Sequence, residues 1–417
     1  MNWIRKYKIG SYLIRNWIVL LITMLGFTTY ILSGYSVYAL FILPFIFIFT
    51  LKITLNEIAL PVLYGGLFAV STIINFGISP SAIAQYAILP VSGFLIGKYF
   101  TDKASNIWQV LTVILLIILC MAIMPIVQSI QDFISTGELI STNRVLNQFD
   151  EDETYKATIL NTYVSLAIGG IGIVFIRANN RMTNVLKWYI FALSILSLFV
   201  SLRLLNRTPI VLAALSLFVA MLLSINTKGG KVRVLLVGLA LIICALYFLR
   251  DSLFVTDLVD SLMNREKSEA GKISTGGGRT IRWIAAIKQI ISNPMGAKAL
   301  VLDGGIKTAA HNTWLDIGVI GGWFPFVLFI VMTVQFIKQT MILRKGPLPF
   351  FFKSYMILLV VTLFLQLAVE PTIHGEIQFF TMFFVLWGFV KELNEKVYIK
   401  SHLNRKNSNG LKLKKIS

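Results

Sequence analysis

The sequence has few charged residues, few histidines and very few cysteines for its length. Charged residues make up 14% of the 417 positions and hydrophobic residues 56%, whereas about a quarter of a typical soluble protein is charged. This composition excludes an ordinary soluble domain. The two cysteines, Cys120 and Cys244, both lie in apolar runs, which excludes a disulfide framework and indicates packing residues.

Long apolar runs are what the sequence has in abundance. Runs of roughly 17–25 apolar residues are long enough to cross a bilayer as helices, and they recur along the whole chain. We therefore expect an all-α polytopic membrane protein with one transmembrane domain, residues 1–391, and a basic cytoplasmic tail, residues 392–417. The expected spans, about twelve, are 16–33, 36–51, 57–75, 82–100, 107–128, 157–177, 186–204, 209–225, 232–250, 312–337, 350–370 and 377–391.

The distribution of positive charge predicts how these spans are oriented. The net charge of +19 would suggest a nucleic-acid partner in a soluble protein, but in a membrane protein Lys and Arg hold loops on the cytoplasmic side. With twelve spans, 25 of the 38 basic residues fall on the inner side and only four in short outer loops. We expect both termini to be cytoplasmic and the loops 129–156 and 251–311 to be extracytoplasmic, with no nucleic-acid partner.

The long loop carries two arginines at the start of a predicted amphipathic helix. Three glycines precede Arg279, and residues 280–291 have helical periodicity with Trp283 on the apolar face. Asn293-Pro294 should end the helix. Arg279 and Arg282, three residues apart, can reach the same ligand, and a helix N-terminus attracts anions. The pattern suits a phosphate or pyrophosphate; the alternative is an interfacial helix with snorkelling arginines.

Two further arginines lie in a short outer turn, against the charge rule. Arg203 and Arg207 precede Pro209, which suits the first turn of the next helix. Arg207 would then lie at the start of that helix, beside an outward-facing cavity. Simple snorkelling at the membrane edge is the alternative explanation.

A histidine marks the start of another predicted helix. Thr313 and Asp316 have capping-box spacing, so His311 and Asn312 should lie just outside a helix N-terminus. A neutral imidazole can accept a proton from a hydroxyl, as a general base does; the alternative is a hydrogen-bonded interfacial histidine. In the last outer loop, Glu370, His374 and Glu376 suggest either residues that line the substrate cavity or a metal site; the chain has only three histidines and no spaced carboxylate cluster, which disfavours the metal.

Three of these segments together resemble the O-antigen polymerase and O-antigen ligase family of bacterial envelope glycosyltransferases. Asn206-Arg207-Thr208 is similar to the family's Ser-Arg-Thr segment, with Asn in place of Ser. Gly278-Arg279, then Trp283, then Asn293 to Gly296 is similar to its Gly-Arg…Trp…Asn-Pro-x-Gly run. His311 to Leu315, followed by three glycines, is similar to its His-Asn-x-x-Leu…Gly-x-x-Gly run.

The resemblance implies a fold related to the lipid-dependent membrane glycosyltransferases and a glycan donor linked to undecaprenyl pyrophosphate, used without a metal or other cofactor. Arg207 and Arg279 would hold the pyrophosphate, with Arg282, Arg203 and Asn312 as further substrate-binding candidates, and His311 would activate the acceptor hydroxyl. Polymerisation of lipid-linked repeat units of O-antigen, capsule or exopolysaccharide is the expected activity, with membrane lipids and a chain-length regulator as further partners. Ligation of the glycan to lipid A core and flipping of a lipid-linked oligosaccharide are the alternatives.

Overall fold

A computed structural model describes residues 8–29, 35–76, 84–137, 144–146, 154–204, 206–225 and 279–413, with five single positions between 227 and 238. Apart from Val232, Leu236 and Gly238, the predicted span 232–250 lies outside the described residues, as does the first part of the long loop, 251–278. The described chain is mostly helical.

The first half of the bundle contains both long helices and broken ones. The helices are α1 (Ile9–Arg15), α2 (Trp17–Phe27), α3 (Leu43–Thr50), α4 (Leu55–Phe76), α5 (Leu89–Lys103), α6 (Ile107–Thr136), α7 (Ala157–Ile168), α8 (Arg181–Arg203) and α9 (Arg207–Ile225). Short 3₁₀ or π turns cover Tyr35–Ile42, Ala84–Ile88 and Ile171–Phe175. Strands β1 (Arg144–Leu146) and β2 (Thr154–Lys156) pair antiparallel, with Arg144 opposite Lys156.

The second half begins with the predicted amphipathic helix. It contains α10 (Arg279–Ser292), β3 (Leu300–Val301), β4 (Lys307–Thr308), α11 (Thr313–Gly321), α12 (Trp323–Lys345), α13 (Phe350–Val369), a 3₁₀ turn at Thr372–His374, and α14 (Ile377–Leu413). Strands β3 and β4 form an antiparallel hairpin between α10 and α11. Helix α14 continues through most of the stretch predicted as a cytoplasmic tail, so the last span and the tail form one helix as far as Leu413.

Seven helices of the described chain are long and apolar enough to cross a membrane, or eight if the bent pair α1–α2 is one span. The architecture is therefore consistent with the predicted all-α membrane protein. The count of twelve stays a prediction, because most of span 232–250 is not described and the helix of Ser36–Thr50 is short.

The predicted span 312–337 is two helices rather than one. Helix α11 ends at Gly321 and α12 begins at Trp323, because Gly322 has a positive φ of 74°. The turn after α10 packs into this break: a Cβ on Gly322 would lie 2.3 Å from the carbonyl oxygen of Pro294, and one on Gly296 would lie 2.2 Å from that of Ile320. Only glycines permit this approach, and it fixes α10 against α11.

Candidate functional site

A buried carboxylate at the end of α13 joins residues from three distant parts of the chain. Glu370 directly follows α13, and its side chain is 2% exposed. Its Oε1 lies 3.4 Å from Nη2 of Arg279, and its Oε2 lies 3.7 Å from Nδ1 of His311. The hydroxyl of Thr208 donates to Oε1 at 3.5 Å. We call these four residues the Glu370 site.

Helix α10 presents Arg279 to the site through its own packing. As predicted, the helix covers the stretch after the glycines and ends just before Asn293-Pro294. Its buried face is Ala286 and Ile290, which pack with residues of α11 and β3. Because Arg279 is the first residue of a helix held in this way, its guanidinium is directed to Glu370 while remaining 30% exposed.

The remaining isoleucines of α10 are not used in this packing. Periodicity predicts a single apolar face on this helix, but only part of that face is buried. Ile290 is buried, whereas the exposed fraction is about half or more for Ile281, Ile284, Ile287 and Ile291. An exposed row of large apolar side chains is typical of a helix that lies in a membrane interface.

His311 is held by the start of α11 and the end of α13. The side chain of Asn312 accepts a hydrogen bond from the N–H of Leu315 at 3.1 Å and donates one to the carbonyl of Ala368 at 3.1 Å. Thr313 donates to the backbone carbonyl of Glu370 at 3.1 Å. His311 itself has a φ of 55°, a left-handed conformation that is uncommon outside glycine and that clusters at functional sites.

The predicted helix start at Thr313 is confirmed, but its cap differs from the expected one. The capping residue is Asn312 rather than Thr313. Asp316, expected to complete a capping box, instead accepts a hydrogen bond from the N–H of Ala310 at 2.7 Å. The carboxylate therefore fixes the segment just before His311 rather than the helix end alone.

Helix α9 begins at Arg207, as the sequence predicts, and its first turn borders the site. The side chain of Asn206 accepts from the N–H of Thr208 at 3.1 Å, so Asn in place of the family's Ser still caps the helix. The side chain of Arg207 lies outside the described residues. Its backbone adjoins Thr208, which contacts Glu370.

The electrostatics of the site favour an anion. Three helices, α9, α10 and α11, begin at or next to residues that contact Glu370, and each N-terminus carries a partial positive charge with unpaired N–H groups. Arg279 and His311 are 30% and 27% exposed, so a ligand can reach both. A bound phosphate could take Glu370's place on the Arg279 guanidinium through a bidentate contact.

His311 has the geometry of an oriented acid–base group. Its Nδ1 faces the Glu370 carboxylate at 3.7 Å, which leaves Nε2 as the nitrogen that can exchange a proton with a ligand. This distance is longer than a hydrogen bond.

Two other predicted substrate-binding residues are not among the contacts of Glu370. Arg282 lies one turn after Arg279 on α10, half-buried, and makes no ion pair with a described residue. Arg203 is 1% exposed, and its Nη2 lies 2.6 Å from Oδ2 of Asp132. Its guanidinium also donates to the carbonyl of Ser129 and to the hydroxyl of Thr136. Arg203 is therefore enclosed in an ion pair of its own.

Sequence reasoning did not assign a role to Glu370 beyond a cavity or metal residue. The position of Glu370 could have indicated a role, because a carboxylate at the end of an apolar span is energetically costly unless other polar groups pair with it. Thr208 also gained a role only from the structure, as a hydrogen-bond donor to Glu370. Within the described chain, no three His, Cys, Asp or Glu residues are grouped to hold a metal ion.

Comparisons with known proteins do not assign the chain to a family. No protein-family model matches the sequence, and no curated protein matches it. The resemblance of the three motifs, and the geometry that joins them, are therefore the basis for the function.

Proposed function

We propose that this protein is a membrane glycosyltransferase that polymerises oligosaccharide repeat units carried on undecaprenyl pyrophosphate. In this proposal twelve spans form a fold related to the lipid-dependent membrane glycosyltransferases. The Glu370 site then faces the extracytoplasmic side of the cytoplasmic membrane, where no nucleotide supplies energy and the lipid pyrophosphate must itself be the activated donor.

The observation that carries the proposal is the convergence of the three motifs on one carboxylate. The segment at 206–208, the start of α10 and the segment at 311–315 resemble family motifs separately in the sequence. In the structure, Thr208, Arg279 and His311 come from these three segments and all contact Glu370. Convergence of a guanidinium, helix N-termini and an imidazole is the combination that pyrophosphate departure and hydroxyl activation require.

The proposed reaction uses these groups in separate roles. The bond from the anomeric carbon of the donor sugar to the pyrophosphate oxygen breaks, and the electron pair leaves with the lipid pyrophosphate. Arg279, the N-terminus of α9 at Arg207 and, one turn along α10, Arg282 stabilise the charge that grows there. The acceptor hydroxyl oxygen forms the new bond to the anomeric carbon, and its proton passes to Nε2 of His311.

The test is the glycan profile of a deletion strain that carries wild-type protein, His311→Ala or the control His402→Ala. His402 lies in the part of α14 that follows the predicted last span, so its loss leaves the site unchanged. We expect a ladder of chain lengths with wild type and with the control. Because loss of a general base costs about 10²–10⁴-fold in rate, His311→Ala at equal protein level should give single repeat units only.

Other profiles in the deletion strain would contradict the polymerase assignment. Bare core with long polymer still accumulating on undecaprenyl pyrophosphate would indicate the ligase activity. Repeat units trapped on the inner leaflet would indicate a flippase. Long chains made by His311→Ala would show that His311 is not the base.

A further inference from the structure

A surface groove runs along α13, and none of the residues that line it belongs to the Glu370 site. Two cavities of about 460 Å³ and about 170 Å³ lie between α9, α12 and α13 and share Arg344 and Ile357 in their linings. Glu370 follows the last residue of α13, whereas the smaller cavity begins at Phe350, the first. The groove is therefore separate from the site described above.

The groove is long, and most of its lining is apolar. On α13 its lining residues recur every three or four positions from Phe350 to Leu365, so they form one face of the helix. Fifteen residues at about 1.5 Å each give a length of about 22 Å. On α12 the lining includes Ile337 and Met341, which are 37% and 59% exposed.

One end of the groove is positively charged. Arg344 borders both cavities, and Lys353 and Ser354 line the smaller one. The ammonium of Lys353 donates one hydrogen bond, 2.8 Å long, to the carbonyl of Gly346, and an ammonium has three protons to donate. Among the described residues, no carboxylate lines either cavity, so no described side chain within the groove opposes these cations.

We propose that this groove binds an anionic phospholipid of the surrounding membrane, with one acyl chain along α13 and the headgroup phosphate at Arg344. The long apolar stretch fits a hydrocarbon chain. Arg344 and Lys353 fit a phosphodiester whose negative charge has no ammonium beside it, and this absence distinguishes an anionic lipid from a zwitterionic one. This binding is independent of the glycosyltransferase proposal.

The first test is native mass spectrometry of the purified full-length protein titrated with phosphatidylglycerol or phosphatidylethanolamine. We expect tighter binding of phosphatidylglycerol. Arg344→Gln should weaken it about tenfold, since a hydrogen bond to a charged group contributes of that order. The control is Lys345→Gln, which removes the same charge from the next residue of α12, an exposed residue that lines neither cavity. Equal losses in the two variants, or equal binding of the two lipids, would overturn the proposal.

The second test identifies what occupies the apolar part. A photo-crosslinking residue at Met341 in membranes should yield an adduct with the mass of a phospholipid. A crosslink to a peptide from residues 226–250 would show that the chain's own segment fills the groove, and it would overturn the proposal. Both tests read binding rather than transferase activity, so loss of the proposed function would leave their outcome unchanged.

Discussion

Two arginine–carboxylate pairs lie near the adjoining ends of α8 and α9, and they differ in every property that matters for function. Arg203 and Asp132 are 2.6 Å apart with side chains 1% and 6% exposed. Arg279 and Glu370 are 3.4 Å apart, and the arginine is 30% exposed. The first guanidinium has further partners in Ser129 and Thr136. The second shares its carboxylate with Thr208 and lies near His311.

The difference separates a structural ion pair from one that can exchange partners. A buried guanidinium paired with Asp132, with further hydrogen bonds to Ser129 and Thr136, stabilises the contact between α6 and α8 and is closed to a ligand. A longer, partly exposed pair at the start of a helix can give its arginine to an incoming phosphate. The surroundings of Arg203 and Arg279, rather than their spacing in the sequence, therefore distinguish a structural arginine from one that is available to a ligand.

The largest expected effect is on stability, at the buried ion pair of Arg203 and Asp132. Asp132→Asn leaves the buried charge of Arg203 without its counterion, which should cost about 3–5 kcal/mol. Thermal unfolding in detergent should show a clear drop in apparent Tm. Asp303→Asn, at an exposed carboxylate, is the control and should leave the Tm unchanged. An equal Tm for both variants would show that the ion pair of Arg203 and Asp132 does not stabilise the fold.

At the partly exposed pair of Arg279 and Glu370, we expect a substitution to lower the rate of transfer and to leave stability unchanged. Arg279→Lys keeps the charge but loses the bidentate fork, so transfer should fall about 10²–10³-fold with an unchanged Tm. Arg181→Lys, at the exposed start of α8, makes the same change away from the site and should have no effect on transfer. Chains of near-normal length from the Arg279→Lys variant would rule out the pyrophosphate role.

A smaller effect is expected at the shared carboxylate. Glu370→Gln keeps the size of the side chain but removes the charge that orients His311 and Arg279, so kcat should fall about tenfold, the loss that about 1.4 kcal/mol produces. Glu370→Asp retains the charge and should recover part of the rate. If Glu370→Gln keeps the wild-type rate, the carboxylate has only a packing role.

The smallest effect is expected at Arg282. This half-buried residue is one turn away and makes no ion pair with a described residue. Its proposed contact with the pyrophosphate is auxiliary, so Arg282→Lys should change the rate by about twofold. A loss as large as that of Arg279→Lys, measured in the same assay, would mean that both arginines hold the phosphate directly.

Local features of the fold and site could be predicted from the sequence, and long-range partners could not. The starts of α9, α10 and α11 follow from Pro209, the glycines before Arg279 and the spacing of Thr313 and Asp316, because these are local backbone preferences; the cap itself proved to be Asn312. The partners of the arginines are distant in the chain: Glu370 lies 91 residues from Arg279. Arg203 and Arg207 look equivalent in sequence, and only the packing of α6 against α8 shows that Asp132 encloses one of them. The break at Gly322 was likewise hidden, since it depends on the turn at Pro294.

The central claim is that the Glu370 site transfers a glycan from a lipid pyrophosphate. The most direct measurement is the fate of purified undecaprenyl-pyrophosphate-linked repeat units in proteoliposomes with wild-type protein or with Arg279→Lys. The account predicts that wild type releases undecaprenyl pyrophosphate and joins repeat units, while the variant leaves nearly all donor unreacted. Release of lipid pyrophosphate at the same rate by both proteins, or no release by either, would contradict it.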